Sequence, residues 1–268
     1  MGVKSAKFHR RWKHRFRRML GRMEKVRSKC RREGRAGDIH DLRVVLRRLR
    51  LFASIGTPCF GKRTVRDFRL WSRRLSDAIG PVRDLDVTLD WLESPSGMDE
   101  RQHELAARRS GMWARSRSRL VPMPRKLAEA LHQTGRGTKD AEPLLRHFHQ
   151  IQSGLALQLR SALSSALSSG PRKQHDFRRS LRRLRFLREA ALSRDESSKD
   201  PWLALLVELH EALGHRQNAR VIGCWLRGRQ FPGKTRLLGG LRREVEEAEP
   251  GLREGLQRLV PYLEGIGN

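Results

Sequence analysis

The chain has 268 residues, enough for one large or two small domains, and carries 58 Lys and Arg against 29 Asp and Glu, a formal charge of +29. Self-repulsion on that scale destabilises a compact state, so a polyanionic partner is implied: nucleic acid, inorganic polyphosphate, an anionic membrane surface or an acidic protein. No apolar run approaches the ~18 residues of a membrane span. The N-terminus lacks the apolar segment of a secretory signal. Cys30, Cys59 and Cys224 offer neither a disulfide framework nor a Cys-x-x-Cys zinc spacing, which fits a reducing cytoplasm.

Helix-period patterning dominates, β-branched residues are few and aromatics are 6 %, so the expected fold is all-α. In chain order the first half predicts helices at about 4–33, 38–55, 60–79, 82–93, 98–117 and 119–133. The first 35 residues hold fifteen Lys or Arg and two Glu, while Phe8, Trp12, Phe16, Met19, Met23 and Val26 recur at helical spacing. That stripe reads as bundle core, with a basic amphipathic surface helix as the other reading of the same pattern. The Arg-rich, acid-poor composition is also that of a mitochondrial presequence. Asp38 is placed as the N-cap of the second helix. Gly80-Pro81 is expected to end one helix, and Asp84 and Asp86 to cap the next and pair with Arg83.

The polar stretch 134–140 (TGRGTKD) is taken as the border between halves 1–136 and 137–268. Beyond it, helices are predicted at about 141–169, 173–194, 200–213, 216–229 and 233–264, with a break at Gly214. Leu155–Leu167, rich in Ala, Leu and Ser, predicts a helix packed closely on its neighbours, and 244–249 (EVEEAE) is locally acidic.

The halves are copies. IHDLRVVLRRLRLF (39–52) and QHDFRRSLRRLRFL (174–187) share eight of fourteen residues at an offset of 135. LSDAIGPVRDLDVTLDWL (75–92) and LHEALGHRQNARVIGCWL (209–226) align at 134, matching Leu75/Leu209, Ala78/Ala212, Gly80/Gly214, Val87/Val221, Trp91/Trp225 and Leu92/Leu226. Two blocks in one order at nearly one offset imply two domain-sized halves, not a solenoid. The second half carries Gln217, Asn218 and Arg220 where the first has Arg83, Asp84 and Asp86, a drift that suggests structure more than catalysis.

At about 100° per residue, His40, Arg43, Arg47 and Arg50 fall within roughly 80° on one side of a helix. Leu42, Val45, Leu46, Leu49 and Phe52 fall on the opposite arc. His175, Arg178, Arg182 and Arg185 repeat the stripe, opposite Phe177, Leu181, Leu184 and Leu187. A basic face is usually only a solvated face. Here it recurs in both copies, lacks neutralising acids at i ± 4, and uses Arg, whose planar fork grips phosphate oxygens with two bonds. A row of phosphates is its complement. The neighbouring Arg should keep His40 and His175 neutral, and a neutral imidazole still donates one hydrogen bond to an anion. The ten His show no spacing for a metal site.

These residues resemble the CHAD family, the conserved histidine α-helical domain. The likeness rests on His40-Asp41-Leu42-Arg43-Val44, Arg47-Arg48-Leu49-Arg50, Gly80-x-x-Arg83-Asp84-x-Asp86-Val87, and the echo from His175 to Phe186, and it spans nearly the whole chain. It implies two four-helix bundles related by a pseudo-twofold axis, with a basic groove or pore that binds inorganic polyphosphate. It also implies association with polyphosphate granules and granule proteins in the cytoplasm. By the same resemblance, His40, Arg43, Arg47, Arg50, His175, Arg178, Arg182 and Arg185 are the polyphosphate-binding residues. Many members carry an N-terminal triphosphatase domain. This chain begins with the helical unit and has no alternating Glu-x-Glu-x-Lys strand, so that activity is expected to be absent.

The expected function is non-enzymatic polyphosphate binding without a cofactor or metal. The alternative is sequence-independent nucleic-acid binding, which composition alone permits. Base stacking wants exposed aromatics, however, and the six Trp fall mostly on apolar stripes; no helix-turn-helix is apparent. An enzyme of phosphate metabolism would need a P-loop, a carboxylate cluster or a nucleophile–base pair, and none is legible.

Overall fold

A computed structural model describes residues 2–92, 99–133, 141–228 and 233–267. Among these the secondary structure is helical, without strands, as the periodicity predicts. The chain divides into two compact units, Met1–Phe148 and His149–Asn268. The stretch 134–140, taken as the border from sequence, lies outside the described residues.

Unit 1 begins with α1 (Gly2–Glu33), α2 (Ala36–Ile55) and the short α3 (Thr57–Phe60). α4 (Lys62–Leu92), α5 (Asp99–Arg117) and α6 (Arg125–His132) follow. α2 packs on α1 and α4, and α4 packs on α5. The N-terminal stripe is core: Phe8, Trp12, Phe16 and Met23 are buried, with Met19 and Val26 half-buried. Trp12 stacks on Phe16 at 5.6 Å between centroids, Phe16 meets Phe60 at 4.9 Å, and Trp12 Nε1 donates to the Phe52 carbonyl at 3.2 Å. Ile39, Leu42, Leu46 and Leu49 of α2 are fully buried against them. Gly34, at φ +63°, turns the chain from α1 into α2, and its missing Cβ leaves room for the Trp113 ring.

Unit 2 takes the later turns of α7 (Ala141–Leu163), then α8 (Pro171–Ala191), α9 (Arg194–Lys199), α10 (Pro201–Arg227) and α11 (Lys234–Gly267). α10 packs on α8 and α11. Phe177, Leu181 and Leu184 of α8 meet Leu206 and Leu209 of α10 and Leu256, Leu259 and Leu263 of α11 in one core. The division of the chain falls within α7. Its first turns place Leu144 and Phe148 in unit 1, where Phe148 meets Phe8 at 4.9 Å. Its later turns carry Ala156 and Leu159 into the core of unit 2. α7 stops at Leu163 and continues as turns, so the predicted close-packed helix to Leu167 is shorter than expected, although Ala166 is still buried.

Two predicted breaks are absent. α4 runs through Gly80-Pro81 and α10 runs through Gly214. An interior proline costs a helix about 3 kcal/mol. Leu75, Ala78, Ile79 and Val82 are all buried around this one, and each large apolar side chain buried returns about 1.5–3 kcal/mol. The N-caps shift accordingly. Asp84 and Asp86 lie inside α4 and cap nothing. Asp38 is not a cap either: Arg35 holds that position, and Asp38 sits in the first turn of α2, where Lys29 Nζ reaches it at 2.8 Å. The sequence reading also missed α9. It opens with Ser193 and Glu196 in a capping box, beside Asp200, which accepts from the Leu203 N–H at 2.6 Å to cap α10.

Candidate anion-binding stripes

In unit 1 the apolar arc of α2 is buried, and this fixes the rotation of its polar arc. His40 is exposed, while Arg43, Arg47 and Arg50 are half-buried. Arg43 lies over α4, with Nη1 3.1 Å from where a Cβ on Gly80 would stand. A Cβ there would be tight, and the guanidinium end would have to yield by a few tenths of an ångström. Desolvation lowers the Arg43 pKa and Arg83 lowers it further, opposed by Asp84 and Asp77. A guanidinium nonetheless stays charged at neutral pH. Among the described residues no carboxylate reaches ion-pair distance of Arg43. A cation is thus held partly desolvated and without a counter-charge in contact.

Arg50 behaves differently. Its Nη1 donates to the Ser72 carbonyl at 3.1 Å and to Ser76 Oγ at 2.9 Å, which ties α2 to α4. His40 is pushed below the ordinary histidine range, first by desolvation of its ring and then by Arg83 and Arg47, against Asp41. It is therefore neutral at pH 7, as its neighbours in the sequence implied.

Unit 2 repeats the arrangement on α8 and α10. Arg178 lies over Gly214, with Nη2 3.1 Å from the position of an added Cβ. Desolvation lowers its pKa, and its Nε is buried with no hydrogen-bond partner. Arg182 is half-buried and His175 exposed. His175 is also depressed, by desolvation first and then by Arg179, Arg178 and Arg182, against Asp176. Arg185, like Arg50, is engaged: Nε donates to Glu189 at 2.9 Å, and Nη1 lies 3.3 Å from His210 Nδ1. Glu189 stands at i+4 of Arg185, so the expectation that no acid at i ± 4 neutralises the stripe fails at this position. Each unit thus holds one arginine over a glycine and engages the last arginine of the stripe in its own packing.

The sequence reading paired Arg83 with Asp84 and Asp86. Instead, Arg83 Nη1 meets Asp90 at 3.5 Å, one turn beyond the cluster, because α4 continues there as helix. Asp86 is buried and bound by Arg109 Nε of α5 at 2.8 Å, and Arg109 also donates to the Gly34 carbonyl. Asp84 is exposed along α4, yet its carboxyl is raised by desolvation, against the lowering effect of Arg43 and Arg83. Arg83 therefore belongs to the surroundings of His40 and Arg43. Its place three residues after Gly80, less than one helical turn, was the available signal.

The CHAD domain family model matches residues 12–227, most of the chain and both stripes. The chain belongs to the CHAD domain family. The crystal structure of the CHAD domain from the plant Ricinus communis is similar to it, with a TM-score of 0.65 and 19% identity, over 92% of this chain and 91% of that one. That likeness is one of fold. No curated protein matches the sequence. In this CHAD domain the matched span takes in Gly80, Gly214 and the arginines over them, and ends with α10, before α11 begins.

Proposed function

We propose that this CHAD domain binds inorganic polyphosphate without catalysing a reaction, through the stripes His40, Arg43, Arg47, Arg50 and His175, Arg178, Arg182, Arg185. The observation that carries the reading is the pair of guanidinium groups, Arg43 over Gly80 and Arg178 over Gly214, each desolvated and without a carboxylate in contact. A desolvated, unneutralised arginine gains most from an anion that brings charge without bulk, and a bare phosphate chain supplies about one such charge per unit. Neutral His40 and His175 add hydrogen-bond donors at the exposed end of each stripe. The family's association with polyphosphate supports the same ligand, and a place at cytoplasmic polyphosphate granules follows as part of the proposal. Among the described residues no helix is long and apolar enough to cross a membrane.

Calorimetry with long-chain polyphosphate, single-stranded DNA and duplex DNA at two salt concentrations tests this reading. The wild type is expected to prefer polyphosphate, with affinity falling steeply as salt rises. Arg43→Ala/Arg178→Ala is expected to weaken polyphosphate binding roughly a hundredfold or more, since each lost charge-assisted bond is worth about 1.5–3 kcal/mol. Equal affinity for DNA of matched charge, or indifference to the double substitution, would make the stripes a general polyanion coat.

A further inference from the structure

The duplicated helices diverge six residues beyond each glycine. In unit 1 that position is Asp86, buried and neutralised by Arg109. In unit 2 it is Arg220, exposed, with no carboxylate pairing with it among the described residues. Where unit 1 closes on an internal ion pair, unit 2 opens a cleft of about 570 Å³ between α8, α10 and α11.

The walls of this cleft have two characters. Arg178, Arg216, Arg220, Arg227 and Arg242 reach it from three helices. Glu249 engages Arg216 at 3.3 Å and Glu246 engages Arg242 at 2.7 Å, whereas Arg178, Arg220 and Arg227 meet no carboxylate among the described residues. The cleft therefore carries an excess of positive charge. Leu213, Leu238, Leu241 and Val245 give it an aliphatic floor, and Gln174 and Gln217 are the uncharged polar residues of its wall. Leu213 and Leu241 are buried, while Leu238 and Val245 are half-exposed to the cavity. An inorganic phosphate chain satisfies the arginines and gains nothing from that floor. A ligand with a phosphate at one end and an apolar body at the other satisfies both, and the volume falls in the range that holds a small organic molecule.

We infer that the α8–α10–α11 cleft of unit 2 is a binding site for an amphipathic organic phosphate. Its phosphate meets Arg220 and its arginine neighbours, and its apolar body lies on Leu238 and Val245. The site is separate in chemistry from the phosphate-only stripes and adjoins them at Arg178. α11 supplies Leu238, Leu241 and Val245 of the aliphatic floor, and α10 supplies Leu213.

Two matched pairs of probes test the assignment by calorimetry on the full chain: ATP against inorganic tripolyphosphate, and octyl phosphate against orthophosphate. Charge alone favours tripolyphosphate over ATP, so a preference for ATP reports on the floor. At least one organic probe is expected to bind about tenfold tighter than its inorganic counterpart, which corresponds to burying about two methylenes. The pair that shows the preference distinguishes a nucleotide from an acyl or alkyl phosphate. Leu238→Ser should abolish the preference while leaving long-chain polyphosphate binding unchanged, and Arg220→Ala should weaken both members of the pair. Val245→Ser serves if Leu238→Ser fails to fold. No preference in either pair, or a preference that survives loss of the apolar side chain, overturns the inference. Failure of the polyphosphate reading would be seen separately, as absent binding of the long chain.

Discussion

Unit 1 and unit 2 hold their first stripe arginine in the same way and treat the following turn of the facing helix in opposite ways. Arg43 over Gly80 and Arg178 over Gly214 keep the same 3.1 Å approach in both copies. Six residues on, Asp86 is buried in an ion pair in one copy and Arg220 stands exposed in the other. A glycine lets the guanidinium approach the helix this closely, and a Cβ in its place would press the arginine back by a few tenths of an ångström. The next turn needs only a consistent partner: α5 supplies Arg109 to Asp86 in unit 1, whereas among the described residues no carboxylate pairs with Arg220 in unit 2. The contrast separates what the stripes require from what each bundle is free to vary.

The largest test of that contrast is Asp86→Ala. Removing one partner of a buried ion pair leaves Arg109 uncompensated, and unit 1 should lose about 3–5 kcal/mol of stability by denaturant unfolding. Arg220→Ala, at the matching position, should change stability by less than about 0.5 kcal/mol. Similar losses from both would mean that the two positions are not structurally divergent.

Next in size is the contrast within the stripes. Arg50 bridges α2 to Ser72 and Ser76 of α4, so Arg50→Ala should cost roughly 1–3 kcal/mol. Arg185 makes an i,i+4 pair with Glu189 and a contact with His210, and its truncation should cost less, about 0.5–1 kcal/mol. Thermal unfolding of the two variants side by side checks the order.

The glycines give a prediction in which binding and stability move apart. In Gly214→Ala a methyl group crowds Arg178, so polyphosphate affinity should fall about tenfold, from the loss of roughly one neutral hydrogen bond's worth of energy. Alanine nevertheless suits a helix interior better by about 0.5–1 kcal/mol, so the melting temperature should hold or rise. Gly80→Ala should weaken binding alike but bring no gain in stability, because residue 80 precedes Pro81 and a Cβ there clashes with the proline ring in helical backbone. Unaltered binding in both variants would show that the arginines do not need these positions.

The smallest effect concerns pH. His40 and His175 both titrate below the ordinary histidine value. A bound polyanion favours the imidazolium and raises both values, so binding takes up protons and should tighten several-fold as pH falls from 7 toward 5. For folding without ligand the sign is the reverse. The unfolded chain protonates first, so stability present above the unfolded value of about 6.5 is lost as pH falls toward the depressed folded values. His40→Ala/His175→Ala should flatten the binding profile, and a profile unchanged by that substitution would remove the histidines from the site.

Much of this was legible in the residues. The apolar arc of α2 (Leu42, Val45, Leu46, Leu49, Phe52) is the buried one, the stripe of α1 is core, and the duplicated motif led to the CHAD family. The pairing of Arg185 with Glu189 four residues on was legible in the sequence and was overlooked. The engagement of Arg50 by Ser72 and Ser76, and of Arg185 by His210, was not, because periodicity tells which side of a helix is polar and not which residue waits on another helix. Nor was the continuity of α4 and α10. Gly80-Pro81 and Gly214 are breakers by local propensity, and burial of the flanking Leu75, Ile79, Val82 and Leu213 overrides that preference.

The sequence by itself determined the helical class, the duplication, the polarity of each helix face and the excess of cations, because each is encoded within one or two turns of a helix. Only the tertiary structure decided which arginines remain without a carboxylate, which glycines give them room, and where an aliphatic floor meets a basic wall. Those depend on residues tens of positions apart, brought together by the packing of one helix on the next.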